Sequence, residues 1–168
     1  GNFIKRKSDE QNLKDNELKY RLLAENSSDV IWTLDINGKY KYVSPSVYKL
    51  RGITANENMQ ESFDEALSPE STVYANELFK NAISRIKNQE KPEPVVFCME
   101  QKCKDGSYVW TEIAISAVFN ENSEFQHFLG ITRNITERKR EEIIKNIQFN
   151  IAKAVSEIST IKELVDII

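Results

Sequence analysis

Residues 29–43 constrain this chain more than any other stretch. Val30-Ile31-Trp32-Thr33-Leu34 is an unbroken run of strand-favouring residues, Asn37-Gly38 follows it, and Lys39-Tyr40-Lys41-Tyr42-Val43 returns with Tyr40 and Tyr42 at strand spacing. Asn-Gly between two such runs is the strongest short-range hairpin signal, because both residues tolerate positive φ. A tight antiparallel hairpin is therefore expected here.

The surrounding sequence adds helices on both sides and three more strands. Residues 9–26 lack Gly and Pro and place Leu18, Leu22 and Leu23 at helical spacing. From Ser44-Pro45 to Glu90 the strand pattern vanishes; Pro45 suits a first helical turn, Gly52 a helix end, and Ser68-Pro69-Glu70 opens a longer helix to about Lys87. Strand chemistry resumes over Val95–Cys103, Tyr108–Phe119 and Phe125–Ile135, with Lys104-Asp105-Gly106 as one of the turns. This order predicts an α+β fold: a five-stranded antiparallel sheet with helices on one face, flanked by N-terminal and C-terminal helices. The free face of such a sheet suits the N-terminal helix or a partner subunit, and the space between sheet and helices is the natural pocket.

Composition excludes several function classes. The 168 residues carry 26 acidic and 23 basic side chains, a net charge of −3, which argues against nucleic-acid partners. No apolar run approaches the ~20 residues of a membrane span, so direct membrane insertion is not expected of this chain. Cys98 and Cys103 are the only cysteines, no secretory leader precedes them, and a cytoplasmic setting is expected, with any membrane anchor lying elsewhere in a longer protein. The chain starts without Met and stops inside an apolar-periodic stretch, which reads as a piece excised from a longer polypeptide. No nucleophile elbow and no phosphate-binding loop occurs among five scattered glycines. The carboxylates fall on solvated helix and turn faces, so no catalytic residues and no enzyme activity are expected.

Four short signatures in order resemble the PAS family over roughly residues 17–140, which implies a sensory domain at residues 17–136. They are Glu25-Asn26-Ser27-Ser28-Asp29-Val30-Ile31-Trp32, leading through Asp35 and Gly38; Tyr42-Val43-Ser44-Pro45-Ser46 with Gly52; Lys104-Asp105-Gly106-Ser107-Tyr108-Val109-Trp110; and Gly130-Ile131-Thr132-Arg133-Asn134-Ile135-Thr136-Glu137-Arg138. The last departs from the family's usual Asp at the position of Asn134, so a salt bridge from that Asp must be absent or replaced. The resemblance implies a sensory and dimerisation module of a signalling protein such as a sensor histidine kinase, with its effector in the same polypeptide. Residues 1–16 would be an upstream linker helix and residues 137–168 a signalling helix.

Strand periodicity applied to that resemblance yields an inward set: Trp32, Leu34, Tyr40 and Tyr42; Phe97, Met99 and Gln101; Thr111, Ile113 and Ile115; Phe128 and Thr132. These residues, Leu34 as an apolar wall apart, are the candidate ligand contacts. Two readings stay open, a cavity for an unidentified small organic ligand and a filled core in a purely structural dimerisation scaffold. A haem or flavin sensor is a distant third. Haem-binding relatives use a His on the long helix, whereas the single histidine, His127, sits on a strand facing away from the pocket. Light-oxygen-voltage relatives use a Cys in the segment that here runs Asn58–Leu67 without one. No metal site is expected, since Cys98 and Cys103 face opposite sides of a strand.

Gly130, Asn134, Ile135 and Thr136 are the expected signal relay, and Asn134 or Thr136 the expected cap of the next helix. Beyond them Ile144, Ile151 and Ile158 alternate with Ile147, Ala154 and Ile161 at the three-and-four spacing of a coiled-coil seam, so a parallel homodimer is expected. Ile143, Val155 and Leu164 widen the stripe, which equally suits packing on a globular neighbour. Thr160 with Glu163 offers a capping box where a new helix would begin, and residues 150–168 faintly resemble the opening helix of a GAF domain.

Overall fold

The computed structural model describes residues 28–62 and 64–165, with side chains through residue 158. The expected upstream helices of residues 1–16 and 9–26 lie outside the described residues. The chain forms two compact units, one ending at Asn134 and the other beginning at Ile135.

Among the described residues the first unit contains five strands, β1 (Val30–Leu34), β2 (Tyr40–Val43), β3 (Val95–Lys102), β4 (Tyr108–Phe119) and β5 (Phe125–Asn134). Between β2 and β3 run α1 (Val47–Arg51), α2 (Ala55–Gln60) and α3 (Pro69–Lys87). All strand pairs are antiparallel in the order β2-β1-β5-β4-β3, so the first and last strands of the unit meet at the centre of the sheet. The α+β architecture agrees with the expectation.

One loop design closes all three hairpins. In each, the N–H of the first loop residue donates to the carbonyl four positions on, and the N–H three positions on donates back: Asp35 with Lys39 and Gly38, Cys103 with Ser107 and Gly106, Asn120 with Glu124 and Ser123. The residue in the left-handed region is Gly38 at φ 77°, Gly106 at 85° and Ser123 at 63°. Asn37 keeps a negative φ, so Asn37-Gly38 is not the two-residue turn that the dipeptide suggests. It belongs to a three-residue loop in which Asp35 Oδ1 accepts from the Asn37 and Lys39 amides, at 2.9 and 3.0 Å.

Ser44-Pro45-Ser46 locks the first hairpin to the start of α1. The Ile31 N–H donates to Ser44 Oγ at 2.9 Å, and Ser46 Oγ donates to the Asp29 carbonyl at 2.8 Å. The 2.6 Å bond between the two hydroxyls must then run from Ser44 to Ser46. α1 ends at Gly52, φ 74°. α2 begins with a capping box, Thr54 Oγ1 accepting from the Glu57 amide and Glu57 Oε2 from the Thr54 amide. Hydrogen bonds from Lys104 and from the Thr54 backbone hold the Glu57 carboxyl down at about 2. Ser68 caps α3 with Pro69 in the first turn, as the sequence predicts.

The second unit is one helix, α4 (Thr136–Val165), which carries i,i+3 ion pairs Glu137–Arg140 and Lys139–Glu142 near its start. It runs unbroken through Thr160, so no new helix begins there. It starts at Thr136 itself rather than after it, and β5 stops at Asn134.

Candidate ligand cavity

Period-2 geometry sends alternate side chains of the sheet to the α3 side, and burial follows it: Val30, Trp32 and Leu34 on β1; Met99 and Gln101 on β3; Val109, Thr111 and Ile113 on β4; Phe128, Gly130 and Thr132 on β5. Between this face and α3 lies a cavity of about 250 Å³. Trp32, Leu34, Tyr40, Phe97, Met99, Gln101, Ile113, Ile115 and Phe128, all of them expected, form its sheet wall together with Val95, Ser116 and Ala117, which strand periodicity does not place in the inward set. The helix wall is Ala75, Leu78, Phe79 and Ala82, none of which strand periodicity finds. Their i, i+3, i+4, i+7 spacing is nonetheless the sequence mark of one helix face.

Three residues of the inward set are not on the cavity wall. Tyr42 lies on the other face of the sheet, because a bulge at Lys41 breaks the alternation. Val43 pairs with Trp32 and Tyr40 with Leu34, leaving Tyr42 opposite the outward Thr33. Thr111 and Thr132 point inward but are fully buried behind the wall. Thr111 Oγ1 donates to the Met99 carbonyl at 2.8 Å, and Thr132 Oγ1 accepts the Trp32 indole N–H at 2.8 Å.

Trp32 is the most constrained wall residue. Its ring meets Tyr40 edge-on at 6.0 Å and lies flat over its strand partner Gly130. A Cβ at Gly130 would fall 2.2 Å from the indole. Tyr40 is raised to about 12, first by burial, with its hydroxyl facing Asn58 and the buried Arg51 nearby. Arg51 ties this corner together, donating from Nε to the Lys102 carbonyl at 2.6 Å and pairing with Glu61 at 3.0 Å. Neither Arg51 nor Asn58 carries a motif that would single it out. At the rim stand Asn81, Arg85 and Glu93. His127 lies outside the cavity lining and Cys98 is exposed. Among the described residues no three His, Cys, Asp or Glu side chains converge as a metal site, and no helix is long and apolar enough to cross a membrane.

The family model for the PAS fold matches residues 18–135. The chain belongs to the PAS family. This PAS domain is 24% identical over 162 residues to sporulation kinase C of Bacillus subtilis, covering 90% of this chain and 36% of that protein. Its match to the sensor histidine kinase TmoS of Ectopseudomonas mendocina is 25% over 133 residues, covering 79% of this chain and 13% of the kinase. The chain thus spans a minor part of the sensor kinases it matches. Among solved structures, a PAS domain from Colwellia psychrerythraea aligns with TM-score 0.57 at 24% identity, covering 71% of this chain and 98% of that one. A sensory box histidine kinase/response regulator from Burkholderia thailandensis aligns at 0.60 and 18%, covering 81% and 98%.

Within the PAS domain the relay candidates occupy the end of β5. Gly130 is the seat of Trp32, and Asn134 pairs with Thr111 in the last register position. Asn134 itself is uncharged, and the neighbouring Arg133 supplies an ion pair instead, gripping Asp29 with Nη2 at 2.8 Å and Nε at 3.2 Å. Ile135 and Thr136 open the second unit. On α4 the residues expected to form a seam, Ile144, Ile147, Ile151 and Ile158, are each more than half exposed, as are Ile143, Phe149 and Val155. Ala154 is exposed as well, and the side chain of Ile161 lies outside the described residues.

Proposed function

We propose that this PAS domain is a non-catalytic, ligand-sensing and dimerising module of a longer signalling protein, without haem, flavin or metal. The observation that carries the reading is the position of Trp32. One face of its indole is cavity wall, its other side rests on Gly130, and its N–H is bonded to Thr132. A guest pressing on Trp32 therefore pushes on β5, the strand that runs into α4. A cavity of about 250 Å³ supports the absence of haem and flavin, because it falls below the ~300–1,000 Å³ usual for larger ligands. The cytoplasm is the setting that a kinase effector in the same polypeptide would require.

The exposed three-and-four apolar stripe of α4 supports a parallel homodimer through Ile144, Ile147, Ile151, Ala154, Ile158 and Ile161. Native mass spectrometry of the purified chain, compared with its denatured mass, reads subunit number and bound small molecule together. A dimer is expected, with added mass when ligand co-purifies. Ile151→Asp should weaken association by roughly a hundredfold, because a seam carboxylate is buried without a partner. A bare monomer that no small molecule stabilises against heat would replace this reading with that of a filled scaffold.

A further inference from the structure

The cavity wall carries few polar groups, and they differ in how far the protein itself engages them. The Trp32 N–H is given to Thr132, and the Tyr40 hydroxyl faces Asn58. Gln101 is the most buried of the lining polar residues that make no side-chain hydrogen bond. The residue is only 7% exposed, its side chain lines the cavity, and its side-chain amide makes no hydrogen bond with any described residue. An amide that faces the cavity is left to water or a guest for its hydrogen bonds, and an apolar side chain of the same size would fill that part of the wall without needing either.

The charged group at the Gln101 end is already paired: Arg51, bonded to the Lys102 carbonyl at 2.6 Å, holds Glu61 at 3.0 Å. Arg85 and Glu93 are at the rim, beside the start of β3, whereas Gln101 is near its end, roughly 20 Å further along the strand. Arg85 is moreover paired with Glu90 at 3.3 Å. A carboxylate or phosphate beside Gln101 would thus be buried without a counter-charge that is not already paired. As for size, a cavity of about 150 Å³ holds benzene, so by proportion about 250 Å³ holds roughly ten non-hydrogen atoms.

We infer that the cavity takes a small uncharged molecule, an aromatic or branched aliphatic body bearing one hydrogen-bonding group that completes the Gln101 amide. The inference rests on the sensory reading and narrows it to a ligand class. The test is an NMR amide-shift titration of the whole chain with three probes of equal size: acetophenone, which has one carbonyl; cumene, which is wholly apolar; and benzoate, which is an anion. The two neutral probes should shift amides of β3, β4 and α3, and benzoate should not. Gln101→Leu should move the acetophenone-to-cumene affinity ratio against the ketone by roughly three- to tenfold, and should raise the melting temperature of the unliganded chain. If Gln101→Leu does not fold, Gln101→Met serves the same comparison. Neutral binding with an unchanged ratio, or benzoate binding as well as acetophenone, would overturn the ligand class and leave the sensory reading intact. If no probe shifts the cavity amides, the sensory reading itself falls and takes the ligand class with it.

Discussion

Gly130 is the residue on which the PAS domain's inner geometry turns. It does not sit at positive φ, so backbone freedom is not the reason for a glycine here. The reason is room: the indole of Trp32 occupies the space that any Cβ would take. Gly130→Ala should cost about 1–3 kcal/mol, the usual penalty of overpacking, and should shift the emission of Trp32 as the ring is displaced. A denaturant midpoint unchanged from wild type would refute that account. Tyr40 makes a second prediction at the same scale. Burial first raises its phenol from 10.0 to about 12, so the folded chain holds that proton more tightly than the unfolded chain does. Its stabilising contribution is complete below pH 10 and is lost as pH climbs towards 12. Urea midpoints measured on either side of pH 10 should fall more steeply for wild type than for Tyr40→Phe.

At the scale of elements, the three hairpin loops share one backbone path but not one sequence. Two place Gly at the left-handed position and the third places Ser123 there, at φ 63°. Ser123→Gly should therefore stabilise the domain by up to about 1 kcal/mol, relief of left-handed strain outweighing the added freedom of the unfolded chain. Thermal unfolding checks the sign. These loops also mark what could be read in advance. The strand and helix order was legible because β-branched runs, Ser-Pro helix starts and Gly stops are local signals. The bulge at Lys41 was not, since no Gly or Pro announces it, and it alone turns Tyr42 away from the cavity. The partners of the Thr111 and Thr132 hydroxyls depend on cross-strand register, which alternation within one strand does not contain. The helix wall was legible in the spacing of Ala75, Leu78, Phe79 and Ala82, but only to a reader who already knew which helix covers the sheet.

For the molecule as a whole, the sheet and α3 flank a partly open cavity of about 250 Å³ where most domains of this size would pack side chains. Where the apolar wall excludes water, unfolding hydrates it, so the unfolded chain occupies less volume than the folded one. The domain should accordingly respond to hydrostatic pressure, with unfolding reducing the volume by roughly 20–100 mL/mol. A guest that fills the cavity should move the pressure midpoint upward. Compression thus reads the cavity directly: it reports how much of that space excludes water and how much a given guest fills, whether or not the guest's identity is known.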